Sequence, residues 1–402
     1  MNEIRNKFPF FKNNPNTVYL DSAASSLKLQ SVIDAISSYY ANNGTNVYRG
    51  VYSLSNQATN DFEKTRKLVA RLINSSEEEV IFTKGTTDGL NKLNTALNSY
   101  INAGNEVITS ELEHHSSLMP WQYLTSKKKA KLVYIPLNDN GMITLDGFKQ
   151  VMNENTKVVA LTHISNALGF ITPLKDLVSY ARKINPKVIF IVDGAQSIPH
   201  IKVDVKDLDI DFLAFSAHKM YGPSGVGVLY GKAELLKQLP PFDLGGEMAE
   251  IVTKDSYSYK EAPYKFEAGT PNIAGVIGFS KALEFYLEND LDAFYKYEMS
   301  LRDYTLKALR EIKELEIYND NAAAAVITFN VKGMHPHDIA SVLDQKGIAV
   351  RAGHHCAQLV TKRIAQIATL RVSFGIYNTF EEIDKFIVAL KETVKFFEGF
   401  GI

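Results

Sequence analysis

From about residue 60 to 230 the chain alternates short, continuously apolar runs with stretches of helical periodicity. The runs are Val80–Thr83, Val107–Thr109, Leu132–Pro136, Val158–Thr162, Val188–Val192, Phe212–Phe215 and Val226–Tyr230. A strand with one wet face alternates apolar and polar residues, whereas a strand covered on both faces stays apolar throughout. The runs therefore predict buried strands, and patterns such as Leu174–Ile184 between them predict covering helices. Together they predict an α/β domain built on a mainly parallel, seven-stranded sheet. Short connections between the last runs leave room for one antiparallel member.

Past about residue 280 the texture changes. Long amphipathic stretches over Ala282–Leu315 precede a strand pattern at Val326–Val331, a helix pattern at Pro336–Lys346 and a loop around Cys356. In Thr379-Phe-Glu-Glu382 the threonine hydroxyl and the Glu382 carboxylate satisfy opposite orphan backbone donors, which starts a helix. Ile383, Phe386, Ile387, Leu390 and Val394 keep one face of it apolar. The expected division is a large domain over 21–288 and a smaller α+β domain from 1–20 and 289–402. No repeat, low-complexity tract or linker separates them, so close packing of the two is expected.

A chain of 402 residues is too long for one small core. Its 45% apolar and 22% charged residues are ordinary for a globular protein, and a net charge of −1 gives no footprint for nucleic acid or an anionic membrane. The opening Met-Asn-Glu-Ile-Arg-Asn-Lys scatters charge where a signal peptide needs an apolar run. No stretch reaches the ~18 apolar residues of a membrane span. A cytoplasmic protein with neither nucleic-acid nor membrane partners is expected.

Cys356 is the single cysteine, so it forms no intramolecular disulfide. A free thiol often serves as a small buried apolar group. Here Gly353, His354 and His355 before it, and Ala357 and Gln358 after it, read as a loop instead. Ligands of open α/β sheets bind beyond the carboxyl ends of the strands, and those positions are informative. Lys84-Gly85-Thr86-Thr87 follows the first run and opens a helix, where hydroxyls and backbone N–H groups suit a phosphate. Glu113-His114-His115, Ser165 and Asn166, Asp193 and Gln196, and Ser216, His218 and Lys219 follow later runs. Each alone also reads as a cap or a satisfied core group. As a set they suit pyridoxal 5′-phosphate: a lysine to bond it, an aspartate for its pyridine nitrogen, an aromatic ring over its face and hydroxyls for its phosphate. The histidines lack zinc-ligand spacing, so no intrinsic metal is expected.

The motifs run in order nearly end to end: Tyr19-Leu-Asp-Ser-Ala-Ala24, Glu113-His-His115, Ser165-Asn166, Asp193-Gly-Ala-Gln196, Ser216-Ala-His-Lys219, Phe266-Glu-Ala-Gly-Thr-Pro-Asn272 and Arg351-Ala-Gly-His-His-Cys356. In these the chain resembles the cysteine desulfurases of class V aminotransferase fold, specifically the SufS-like group II. The resemblance implies the fold type I of PLP-dependent transferases and conversion of L-cysteine to L-alanine, with a persulfide left on Cys356. It implies that Lys219 bonds the cofactor and moves the proton at the substrate Cα, that Asp193 pairs with the pyridine nitrogen, and that His114 stacks on the ring. Gln196 and Asn166 match residues near the ring hydroxyl and the substrate. Thr86, Thr87, Ser216 and His218 match the phosphate side, with Thr270 reaching in from the other subunit of a homodimer. Arg371, in Leu-Arg-Val-Ser, and Arg351 match guanidiniums at the substrate carboxylate. His337, in His335-Pro-His-Asp338, resembles the histidine of enzymes that pass sulfur to a zinc-containing SufU-type acceptor for iron-sulfur cluster assembly. There it becomes a ligand of the partner's zinc; the plainer reading is a helix cap.

The chain departs from the family at Tyr48 and Tyr52, where histidine is frequent, and at Leu359, where proline commonly follows Cys-Ala-Gln. These departures bear on a proton path and on the stiffness of the cysteine loop. His354 and His355 are candidates to acidify the thiol if one is protonated. Rivals to the desulfurase reading are a selenocysteine lyase, another class V member such as an aminotransferase, and a catalytically inactive relative serving as a sulfur-scaffold binding protein. A plain aminotransferase needs no second nucleophile such as Cys356, and the inactive relative should have lost Lys219, Asp193 or Cys356, all of which are present.

Overall fold

The computed structural model describes residues 2–365 and 367–399. All seven apolar runs form strands of one sheet: β1 Val80–Thr83, β2 Glu106–Thr109, β3 Lys131–Tyr134, β4 Thr156–Thr162, β5 Ile189–Asp193, β6 Phe212–Ser216 and β7 Gly227–Gly231. Their spatial order is β1-β7-β6-β5-β4-β2-β3. Only β7 runs antiparallel to its neighbours. The carboxyl ends of β1 to β6 therefore share one edge.

Helices α1 Gln30–Asn42, α2 Ser53–Ile73, α3 Thr86–Ala96, α4 His115–Lys128, α5 Leu174–Ile184 and α6 Ile273–Glu288 cover the sheet. Ile108, Leu161, Val192, Leu213 and Phe215 pack into a core with α1, α2, α5 and α6. Their chain neighbours Val107, Ala160, Ile191, Phe212 and Ala214 pack against Leu90 and Leu93 of α3 and Trp121 and Leu124 of α4. Alternate side chains thus enter opposite cores, and both are dry, which is why the strands read as unbroken apolar runs.

The amphipathic stretches expected over Ala282–Leu315 fall in two helices. Helix α6 stops at Glu288, and α7 Leu291–Leu309 restarts behind Asp290, whose carboxylate caps the Asp292 N–H at 3.0 Å. Then follow β8 Leu315–Ile317, β9 Val326–Val331, α8 Pro336–Gln345, β10 Arg351–Gly353, α9 Gln358–Ala365, β11 Thr369–Ser373 and α10 Phe380–Glu398. These strands make an antiparallel sheet in the order β8-β9-β11-β10. The capping box at Thr379 forms as expected. A separate core joins Leu301 and Leu309 of α7, Phe329 of β9, Leu343 of α8, Val372 of β11 and Phe386 of α10. Val18 and Leu20 belong to it too, because Val18–Tyr19 pairs in parallel with Ile348–Ala349. Residues 400–402, at the end of the expected small domain, lie outside the described residues, as does Met1. Among the described residues no helix is long and apolar enough to cross a membrane.

Candidate active site

Strand β6 ends at Ser216 and turns at once into a single 3-10 turn, Ala217–Lys219. The turn delivers Lys219 into a cavity of 170 Å³ at the shared strand edge. Lys219 is half-buried: its side chain borders the open space while protein surrounds the rest. Burial draws its ammonium down to about 8, against the opposing pull of Asp193. An amine titrating there is about one-tenth neutral at pH 7, where an ordinary lysine is almost wholly charged. Asp193, at the end of β5, is buried, and that burial pushes its carboxyl up; the Ala195 N–H, 3.0 Å away, and the Lys219 charge pull it back. Gln196 reaches across to the Ala23 carbonyl at 2.7 Å.

His114 caps α4. Its Nδ1 accepts the Ser116 N–H at 3.1 Å, with the Ser116 hydroxyl 2.6 Å away. Burial and then the Lys219 charge hold its pKa down to about 3, so the ring is neutral with its proton on Nε2. Behind it lies Glu113, a role the sequence reading did not assign. Its buried carboxyl accepts from Ser110 at 2.7 Å and Ser117 at 2.9 Å, and burial pushes it up to about 8.

At one end of the cavity, α3 begins with Gly85 as N-cap at φ +154°. A Cβ on Gly227 of β7 would lie 2.4 Å from the Gly85 Cα, so backbone contact here demands glycine. Thr86 donates its N–H to the Ser216 hydroxyl at 2.8 Å, and the two hydroxyls lie 2.7 Å apart. Thr87 is exposed beside them, and the His218 Nδ1 is 3.2 Å from the Ser25 hydroxyl. Burial and the neighbouring Lys219 lower His218 to about 4.

At the other end Arg371 comes from β11 of the smaller sheet. It donates to the Asn166 carbonyl at 3.0 Å and to Asp21 at 2.8 Å, while its buried Nε has no partner among the described residues. Arg351 lies half-buried on the same side, 3.9 Å from Asp21. Asp21 sits in the Tyr19-Leu-Asp motif but had no assigned role; no local signal tells a sequence which guanidinium it will meet 350 residues later. Asn166 also donates to the His355 carbonyl at 2.6 Å, and His115 donates to the Cys356 carbonyl at 2.7 Å. Tied on both sides, His355 and Cys356 both adopt positive φ, at +52° and +55°. The result is an exposed thiol at the cavity mouth rather than a buried apolar group.

The thought that a charged histidine acidifies this thiol needs correcting for His355. That ring is buried and 2.8 Å from the Thr369 hydroxyl, and burial followed by the Arg371 charge brings it down to about 2. It is neutral at any physiological pH. Leu359 lies in the first turn of α9, where proline is also tolerated.

Lys219, Asp193, Gln196, His114, Thr86, Thr87, Ser216, His218, Asn166, Arg371, Arg351 and Cys356 all line this one cavity. Thr270, Tyr48, Tyr52 and His337 do not. Thr270 is exposed on an adjoining pocket with Lys84 and Gly225. Tyr48 points its hydroxyl at Glu63 within a charged knot around buried Arg66, and Tyr52 is exposed. His337 is exposed at the start of α8, yet a Cβ added to Gly353 would be 3.9 Å from its Nε2. The cap of α8 is His335, whose Nδ1 accepts the His337 N–H at 3.3 Å, so the His337 ring is not needed for capping.

The donor set fits pyridoxal phosphate. A lysine with a lowered pKa faces a buried carboxylate, and hydroxyls surround a helix N-terminus cradled by Gly85 and Gly227. Comparison with known proteins points the same way. The "Aminotransferase class-V" family model matches residues 18–386. The chain is 44% identical over 400 residues, 98% of either chain, to a "Probable cysteine desulfurase" of Halalkalibacterium halodurans. It superposes on an apo cysteine desulfurase from Thermococcus onnurineus with TM-score 0.94 at 39% identity, covering 98% of both chains. The cysteine desulfurase CsdA from Escherichia coli, solved in an S-sulfonic acid form, gives TM-score 0.92 at 35% identity, again over 98% of both chains.

Proposed function

Because this chain belongs to the class V aminotransferase family, and within it to the cysteine desulfurases, we propose that Cys356 and Lys219 divide its reaction between them. The overall change takes L-cysteine and the Cys356 thiol to L-alanine and a Cys356 persulfide. The observation that carries this reading is the shared cavity: a cofactor-competent lysine and an exposed thiol open into the same 170 Å³.

Pyridoxal 5′-phosphate, the cofactor of this family, supplies an electron sink for negative charge developing at the substrate Cα. Lys219 would bond it, with Asp193 at the pyridine nitrogen, His114 over the ring, and Thr86, Thr87, Ser216 and His218 at the phosphate. The residues do the rest. Arg371 offers its unpartnered Nε to the substrate carboxylate, with Arg351 and Asn166 alongside. The neutral Lys219 amine takes the proton from Cα and returns one to the carbon skeleton. Neutral His114 can share such a proton through Nε2. The Cys356 thiolate attacks the substrate sulfur, forming the S–S bond as the Cβ–S bond breaks. The electron pair of that broken bond stays with the carbon skeleton, which is protonated and leaves as alanine.

Asp193→Asn is expected to bind the cofactor more weakly and to slow removal of the Cα proton, since an amide cannot balance a protonated ring nitrogen. Cofactor titration with a deuterium isotope effect at Cα checks both. Full occupancy with an unchanged rate would remove Asp193 from this role.

The same reading includes the division at 20/21 and 288/289, a cytoplasmic setting, and a SufS-like two-fold dimer in which Thr270 completes the partner's phosphate site. Support for the last is that Thr270 is exposed and outside its own cavity, yet close to Lys84 and Gly225 at the surface beside Thr87. Light scattering should give a dimer, and Thr270→Ala should loosen the cofactor. A fully active monomer would refute this arrangement.

The sulfur acceptor proposed is a zinc-containing SufU-type protein feeding iron-sulfur cluster assembly. His337 stands exposed beside Gly353, on the strand leading into the cysteine loop, with capping left to His335. An imidazole there can replace a zinc-bound cysteine of the partner and free it as a nucleophile. His337→Ala should keep basal turnover of L-cysteine and lose stimulation by the zinc partner. Full stimulation of the variant would exclude the ligand exchange.

A further inference from the structure

The carbonyl of His218, the residue immediately before Lys219, is the most heavily bonded acceptor around the site. It receives the Ser26 N–H at 3.0 Å, the Ser26 hydroxyl at 3.1 Å, the Ser25 hydroxyl at 3.2 Å and the Lys28 ammonium at 2.8 Å. A carbonyl oxygen has two lone pairs, so these donors compete, and the charged one at the shortest distance dominates. The Lys28 Nζ also donates to the Ser26 carbonyl at 2.6 Å and lies 3.4 Å from the Ser25 hydroxyl.

Lys28 has no carboxylate partner among the described residues, and burial draws its ammonium down to about 8. A partly buried cation held only by carbonyls and hydroxyls is costly unless an anion or a geometric task offsets it. The geometric task is next door, and the phosphate of a bound cofactor would supply the anion. The segment it staples runs from Ala23 and Ala24, which line the cavity, to Leu29, whose N–H meets the Tyr221 carbonyl beyond the lysine turn. The Ser26 hydroxyl in turn accepts the Tyr221 N–H at 2.7 Å. The whole 217–221 turn is therefore clamped by 25–29 from one side, with Lys28 as the charged member of the clamp. His218 on that turn and Ser216 just before it belong to the proposed phosphate end.

We propose that Lys28 is a positioning residue of the cofactor site: its ammonium pins the His218 carbonyl, fixes the turn that presents Lys219, and places a positive charge behind the phosphate end. This rests on the cofactor reading above, and the test separates the two. Holoenzyme of wild type, Lys28→Met, Lys28→Gln and Lys28→Arg is compared for release of pyridoxal phosphate, the visible absorbance band of the bound cofactor, and kcat and KM for L-cysteine. Losing one charge-assisted hydrogen bond should loosen the cofactor by about tenfold or more in Lys28→Met. Lys28→Gln, which keeps N–H donors without charge, should resemble it, and Lys28→Arg should recover most of the affinity. KM for L-cysteine in cofactor-saturated enzyme should change far less than cofactor affinity, because Arg371 and Arg351 sit at the opposite end. Wild-type affinity and spectrum in both Lys28→Met and Lys28→Gln would overturn the proposal. Equal losses in all three variants would overturn it as well, by assigning the effect to packing. A wild type that shows no absorbance band would overturn the cofactor reading itself.

Discussion

Lys219→Ala should leave a folded protein that no longer turns over L-cysteine, with the rate down about 10³-fold or more. The size follows from the cavity. Among the described residues that line it, Lys219 is the sole lysine, and its amine is the one drawn down to about 8 by burial. On the proposed mechanism, removing it takes away the amine that would bond the cofactor and the base that would work at Cα. Neither His114, neutral and hydrogen-bonded through Nδ1, nor Lys28, held on the far side of the turn, reaches both tasks. Fold should persist, because the turn is held by its backbone: the Ala217 N–H meets the Val226 carbonyl at 3.0 Å, and the His218 carbonyl keeps its donors. Steady-state turnover, with thermal unfolding as the fold control, checks this. Near-native turnover in the variant would displace Lys219 from the mechanism.

Cys356→Ser should be as damaging to desulfuration while sparing the cofactor. The thiol is exposed at the cavity mouth, and its loop is anchored through main-chain atoms: the Cys356 carbonyl to His115, the His355 carbonyl to Asn166. Serine keeps those anchors and adopts the same backbone. A hydroxyl at neutral pH is a far weaker nucleophile toward sulfur than a thiolate, so sulfur transfer falls to background. The absorbance band of bound cofactor should match wild type. Loss of that band would show that the cysteine loop shapes the cofactor site as well.

What the sequence disclosed and what it hid divide along physical lines. The strands were legible because β4, β5 and β6 are dry on both faces, so Val158–Thr162 and Phe212–Phe215 read as unbroken apolar runs. The strand-end groups were legible because His114, Asp193 and Lys219 are residue types that turns do not require. The resemblance then supplied roles that spacing alone leaves open. Hidden were the contacts made only by tertiary packing: Asp21 on Arg371, Val18–Tyr19 beside Ile348–Ala349, and Lys28 under His218. Local periodicity carries no register for partners hundreds of residues apart. Charge state was hidden for the same reason. His355 looks like a candidate cation in the string Gly-His-His-Cys, and its burial beside Thr369 and Arg371 lowers its pKa and disfavours that charge.

The central claim is that sulfur passes from L-cysteine to Cys356 in a cavity shared with Lys219. Its most direct test is mass spectrometry of the intact and digested holoenzyme after a single turnover with L-cysteine, with alanine measured in parallel. The expected result is one added sulfur atom on the peptide containing Cys356 and one alanine released per active site, with neither in Lys219→Ala. Alanine released without sulfur on Cys356, or sulfur found on Cys356 in the Lys219→Ala variant, would contradict the account.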